Sequence, residues 1–103
     1  MQFDVFRNVN VDTKRQFPYL LDIQANLLSE LATRVVVPLM YRNYFGKTAK
    51  TLNPIFIIEN KEVVMVTSEL AGVSIKALGE KVKSLIESRY DIMNALDLLF
   101  TGV

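Results

Sequence analysis

The sequence predicts a mainly β fold that carries one C-terminal α-helix, and three observations predict it. The segment "PIFIIENKEVVMVTSEL" holds two apolar, β-rich runs, residues 55 to 58 and 63 to 67, joined through Glu59-Asn60-Lys61-Glu62. Asn60 tolerates the left-handed conformation of a tight turn, so the pair reads as a hairpin. Apolar residues at the start of the chain alternate with polar ones, Phe3 and Val5 against Gln2 and Asp4, which is the period of a strand. After residue 88 the period changes to that of a helix.

Taken in chain order, the first strand is expected near residues 2 to 7. "NVNVDTKRQFP" follows as a polar connection rich in turn formers, read as a mobile hairpin loop. "YLLDIQ" resumes an apolar segment, and "NLLSELATR" is a mixed region in which strand and short helix are not separable. "RVVVPLMYR", residues 34 to 42, is β-branched, and Pro38 inside it argues for a bulge or a sheet edge because proline cannot donate to the ladder. "NYFGKTAKTLNP" is a loop with one or two turns, and "GVSIKAL" adds one more short strand after the hairpin. "SRYD" reads as a capping box in which Ser88 accepts from the Asp91 N–H and Asp91 reaches back, so the helix should start at Arg89. On a 100° wheel Ile92, Met93, Leu96, Leu99 and Phe100 form one stripe that should pack on the sheet. Leu98 falls opposite, and Asn94 and Asp97 lie on a flank; Leu98 is either a single exposed leucine or an extension of a partner surface.

The chain has 103 residues, which fits one domain over 1–103 with a single core. Half of the residues are apolar, and 12 basic against 11 acidic residues leave a net charge of +1. With no global field, no direct nucleic-acid binding is expected. No apolar run approaches the length of a membrane span and the start lacks a signal-peptide pattern, so the expectation is a cytoplasmic protein that does not engage a membrane. The sequence contains neither cysteine nor histidine. That removes disulfides, thiolate catalysis, Ser-His hydrolysis and the usual transition-metal sites, and no catalytic set, metal or cofactor is expected.

Three further motifs carry little weight. "GKT" at Gly46, Lys47 and Thr48 lacks the earlier glycine of a phosphate-binding loop, since Tyr41 stands there. Asp91 and Asp97 are six apart and do not stack on one helix face. Arg34, Arg42, Lys47 and Lys50 with Tyr41, Tyr44 and Phe45 interleaved resemble the rim of a single-strand binder, although solvated loop charges are the favoured reading.

The ending "DLLFTGV" is apolar. Gly102 sits where a C′ glycine ends a helix. Ordering the last three residues costs roughly 3 to 6 kcal/mol, and burying Phe100 and Val103 returns about the same. A partner that completes the burial and a simple frayed end are both consistent with that balance.

The order of elements, with "MQF", "DIQANLL" (22 to 28), "RVVVPL" (34 to 39), "NPIFII" (53 to 58), "MVTSELAGVSIKALGE" (65 to 80) and "DIMNALDLLFTGV" (91 to 103), resembles the CcdB toxin family over the whole chain. The resemblance implies a small SH3-like barrel with an additional antiparallel sheet and a C-terminal helix, paired as a homodimer. It implies a toxin that is not an enzyme, that binds the A subunit of DNA gyrase and traps the gyrase–DNA cleavage complex, and that a CcdA-type antitoxin neutralises. Carried over by position, the gyrase-binding residues are Leu27, Leu28, Asn94, Asp97, Thr101, Gly102 and Val103. Two of these depart from the plasmid-borne family member: Thr101 stands in place of a tryptophan and Asp97 in place of an asparagine. Two alternatives remain, an endoribonuclease toxin on the same barrel, like the MazF relatives, and a weakly active or silent family member.

Overall fold

A computed structural model describes residues 1–102, so the expectation placed on Val103 lies outside the described residues. Seven strands are present among the described residues: β1 (Asp4–Asn8), β2 (Tyr19–Asp22), β3 (Thr33–Tyr41), β4 (Ile55–Ile58), β5 (Lys61–Met65), β6 (Ala71–Ser74) and β7 (Leu78–Ser84). A one-turn helix α1 (Arg42–Phe45) follows β3, and α2 (Arg89–Thr101) closes the chain. All pairings are antiparallel, in the order β4-β5-β3-β2-β1-β7 with β6 also on β3, and the sheet curls into a half-barrel. The mainly β fold with one C-terminal helix is therefore present.

Strand alternation builds the core. Val5, Tyr19, Leu21, Val37, Leu39, Phe56, Ile58, Val63 and Met65 turn to one face, where Phe3, Leu85 and the helix residues Ile92, Ala95 and Leu96 complete the cluster. Their sequence neighbours Leu20, Val36, Val64 and Val66 are also buried, but outside that cluster. Successive side chains of a strand point to opposite faces, so the central strands are covered on both. Two-sided burial explains why "YLL" and "VVVPLM" read as continuous apolar runs instead of alternations.

Pro38 lies neither at a bulge nor at an edge. It pairs with Leu20 in the middle of the sheet. On its other side β3 changes partner, from β6 at Thr33–Val36 to β5 at Leu39–Tyr41. The Pro38 carbonyl accepts from the Val66 N–H at 3.0 Å, which places its donor-less nitrogen toward the gap between the two partners. Proline is tolerated there because no ladder acceptor awaits an N–H.

Other boundaries shift for local reasons. β1 starts at Asp4 rather than residue 2 because Phe3 takes a left-handed φ of 71°. The hairpin turn has two residues, Glu59 and Asn60, with φ of 51° and 66°, and Ile58 pairs directly with Lys61. Both central residues of a type I′ turn require positive φ, so β5 begins earlier than the sequence suggests. The first connection, expected to be a mobile loop, is cross-tied: Asn8 Nδ2 donates to Thr13 Oγ1 and to the Phe17 carbonyl, both at 2.9 Å.

β7 is the strand that the sequence does not reveal; "GVSIKAL" divides into β6, a 3-10 turn at Ile75–Ala77 and the first residue of β7. The strand carries three charged residues, Glu80, Lys81 and Lys83, all exposed, and only Val82 among its middle positions packs on the core. Register shifts against β1 further blur its period. Gly79 permits a close approach in it: a Cβ there would lie 2.7 Å from Val9 Cγ1 and 3.1 Å from the Arg7 carbonyl oxygen, so both would have to shift.

The helix does start at Arg89, but without the capping box. Ser88 ends a 3-10 turn (Ile86–Ser88) with φ −101° and ψ 15°, and its side chain makes no capping hydrogen bond. Its N–H already donates to the Leu85 carbonyl at 2.9 Å. An N-cap hydroxyl needs an extended backbone to reach the first-turn amides, and this turn does not provide it. Asp91 remains in the first turn, where its charge suits the helix dipole. No helix among the described residues is long and apolar enough to cross a membrane.

Candidate functional site

The exposed apolar residues of α2 give the first part of the site. The stripe expected to pack on the sheet is split. Ile92, Ala95 and Leu96 are buried, Leu99 lies at the margin, and Met93 and Phe100 face out, Phe100 at 67% exposure. Ile92, Ala95 and Leu96 join the core cluster that the sheet supplies. The buried face of the helix is thus centred away from Met93 and Phe100. Leu98, expected opposite the core, is half-buried.

Tyr90, Met93, Asp97 and Phe100 fall at spacings of three, four and three, which places them in one row on the exposed flank. Asn94, Asp97 and Thr101 are exposed along the same side. Sequence reasoning misses Tyr90, Met93 and Phe100 as surface residues because periodicity alone cannot say how wide a stripe the sheet covers.

At the end of this row the chain turns. Gly102 has φ 73° and ψ 16°, and its N–H donates to the Leu98 carbonyl at 2.9 Å. This is the C′ glycine that the sequence anticipates. Among the described residues, its chain neighbours aside, no atom lies within 4 Å of a Cβ built on it, so the glycine faces open space. Thr101 Oγ1 donates to the Asp97 carbonyl at 2.6 Å. Its hydroxyl proton is thus spent inside the helix. Asn94 and Asp91 also line a groove of about 330 Å³ with Lys50, Thr51, Pro54 and Ile55.

Leu27 and Leu28 lie on a 3-10 turn (Asn26–Leu28), and Leu27 is 92% exposed. The preceding polar residues hold them there. Asp22, fully buried, accepts from the Gln24 N–H at 2.9 Å and pairs with Arg34 at 3.0 Å. The Gln24 side chain donates to the Leu28 carbonyl at 2.9 Å and accepts from the Val35 N–H at 3.0 Å. Gln24 thus clamps the turn to β3 while both leucine side chains point away. Arg34, read as part of a basic rim, is engaged in this cluster instead. No hydrogen bond or ion pair among the described residues joins this turn to α2; the two parts of the site stand on separate elements.

A third polar cluster bridges the sheet. Arg7 reaches Glu59 through two hydrogen bonds, at 2.9 and 2.6 Å, and the Tyr19 hydroxyl donates to the same carboxylate. Arg7, and after it Tyr19, holds the Glu59 carboxyl below its ordinary range. Burial, together with the bond to Glu59, pushes the Tyr19 phenol up. Glu59 stays ionised with both oxygens engaged and Tyr19 stays protonated, so the cluster latches the hairpin turn to β1 and β2 rather than moving protons. Among the described residues no group of three or more acidic side chains is placed to hold a metal ion.

An apolar helix end beside an open glycine, and a leucine pair braced by buried Asp22 and Gln24, are both presented at the surface. The family model described as CcdB protein matches residues 2–102. That match spans nearly all of the 103 residues, and the chain belongs to the CcdB family of toxins.

Proposed function

We propose that this toxin binds the A subunit of DNA gyrase, traps the gyrase–DNA cleavage complex and is neutralised by a CcdA-type antitoxin, acting as a cytoplasmic homodimer without catalysis of its own. The observation that carries this reading is the exposed end of α2, where Phe100 is 67% exposed and Gly102 faces open space. An exposed aromatic residue is a costly surface unless a partner desolvates it, and aromatic side chains dominate the energetics of protein interfaces. Family membership supports this class of partner.

Within the reading, Phe100 provides aromatic area next to Thr101, which has none. Asp97 offers a carboxylate to a cation of the target, a pairing that a charge-assisted hydrogen bond strengthens. Leu27 and Leu28 contribute apolar area, and the reading assigns Val103 to the same target.

The test is gyrase supercoiling and DNA cleavage in the presence of purified protein. The expected outcome is inhibited supercoiling with accumulated cleaved DNA. Gly102→Glu should abolish both while the protein remains folded, because its side chain enters open space in the free protein but a buried contact in the complex. Untouched supercoiling at excess protein, or sequence-specific RNA cleavage that survives purification, overturns the proposal.

A further inference from the structure

Far from α2 in sequence, two open clefts of about 640 and 710 Å³ share Tyr41 and Tyr44 as a common wall. Arg42 and Lys61 line the first, and Lys14 and Arg15, from the loop between β1 and β2, line the second. Glu62 is the one carboxylate among the described lining residues, and Arg42 already occupies it at 3.1 Å. Lys14, Arg15 and Lys61 have no carboxylate within ion-pair distance among the described residues. Lys61 Nζ instead stands 5.1 Å from the centroid of the Tyr41 ring. Tyr44 is 76% exposed, and a large aromatic ring so placed offers most of its face to solvent.

We infer that this surface binds single-stranded nucleic acid. The net charge of +1 conceals it, because the balance holds for the whole chain and not locally. Unpaired cations on both sides of a tyrosine platform match a strand whose phosphates run along the clefts while a base stacks on Tyr44. An acidic peptide satisfies the cations but has no planar group at every repeat to use the exposed ring. A duplex hides its base faces and cannot use it either. The sequence-level grouping of Arg34, Arg42, Lys47 and Lys50 is thereby corrected in part: Arg34 is paired with Asp22, whereas Lys14, Arg15 and Lys61 join Arg42 at the tyrosines.

This site is independent of the gyrase proposal, and its test contains no gyrase. Fluorescence polarisation of labelled oligothymidylate, about 12 nucleotides long and so within the usual site size, should show binding at low salt by the purified chain. Tyr44→Ala should weaken it roughly tenfold, the usual loss of one stacked base, and Tyr44→Phe should retain it. Replacing Lys14 and Arg15 together by glutamine should flatten the slope of log affinity against log salt by about 1.4, at ~0.7 per phosphate contact. A thermal melt of each variant checks that the fold is kept. Absence of binding at low salt overturns the inference, as does equal binding by Tyr44→Ala. Tyr44-dependent binding of a polyglutamate peptide that matches the oligonucleotide in affinity also overturns it, in favour of a peptide site.

Discussion

The two halves of α2 are built from the same kinds of residue and meet opposite fates. Ile92, Ala95 and Leu96 close the core, whereas Met93 and Phe100, equally apolar, lie outside it. Composition does not distinguish the two groups; position relative to a sheet that covers only part of the helix circumference does. The inner half stabilises the fold by burial, and the outer half is available to a second molecule. The two roles are therefore separable by substitution.

The largest expected effect is on the inner half. Ile92 is fully buried among Phe3, Val5, Leu21 and their neighbours. Ile92→Ala should cost about 2 to 5 kcal/mol of stability, the usual cost of emptying a well-packed aliphatic site. Urea unfolding followed by circular dichroism measures it. A cost under about 1 kcal/mol would mean that α2 is not integral to the core and would dissolve the contrast between the halves.

Phe100→Ala addresses the outer half and should reverse the pattern. Stability should change by less than about 0.5 kcal/mol, as at other exposed positions. Binding to the A subunit of gyrase should fall by about 2 kcal/mol or more, the range of an interface hot spot. Calorimetry against that isolated gyrase chain, paired with a thermal melt, reads both quantities. Leu27→Ala should behave likewise with a smaller loss of binding, because leucine is a less frequent hot spot than an aromatic residue. Undiminished binding in both variants would remove the exposed apolar residues from the proposed contact.

The same distinction between residue type and surroundings decides what the sequence can disclose. The β4–β5 hairpin and the start and end of α2 are legible because local chemistry dictates them: positive φ at Asn60, helical period after Arg89 and a left-handed glycine at position 102. β7 is not legible, because an edge strand with charged, exposed residues carries little hydrophobic pattern. Pro38 is legible from its own chemistry as far as the missing donor goes, but a change of strand partner is a tertiary fact. For the candidate site, the residues carried over from the family resemblance are exposed as far as residue 102, while the exposure of Tyr90, Met93 and Phe100 depends on the true width of the buried helix face. The cationic clefts join Lys14 and Arg15 to Tyr44 across about 30 positions, a juxtaposition that only the folded sheet creates.

The smallest expected effect sits at the beginning of the same helix. A serine that caps a helix contributes about 1 kcal/mol, and its replacement by alanine ordinarily removes that amount. Here Ser88 makes no capping hydrogen bond, and the 3-10 turn that delivers the chain into α2 uses its backbone N–H instead. Ser88→Ala should therefore change stability by less than about 0.5 kcal/mol, the range of a surface substitution without special contacts. Alanine even has the higher helical propensity, so a slight gain is within expectation. Urea midpoints of the two proteins compared side by side resolve the difference. A loss near 1 kcal/mol would restore the capping box read from "SRYD", and would mean that the first turn of α2 rests on its own side chains rather than on the turn before it.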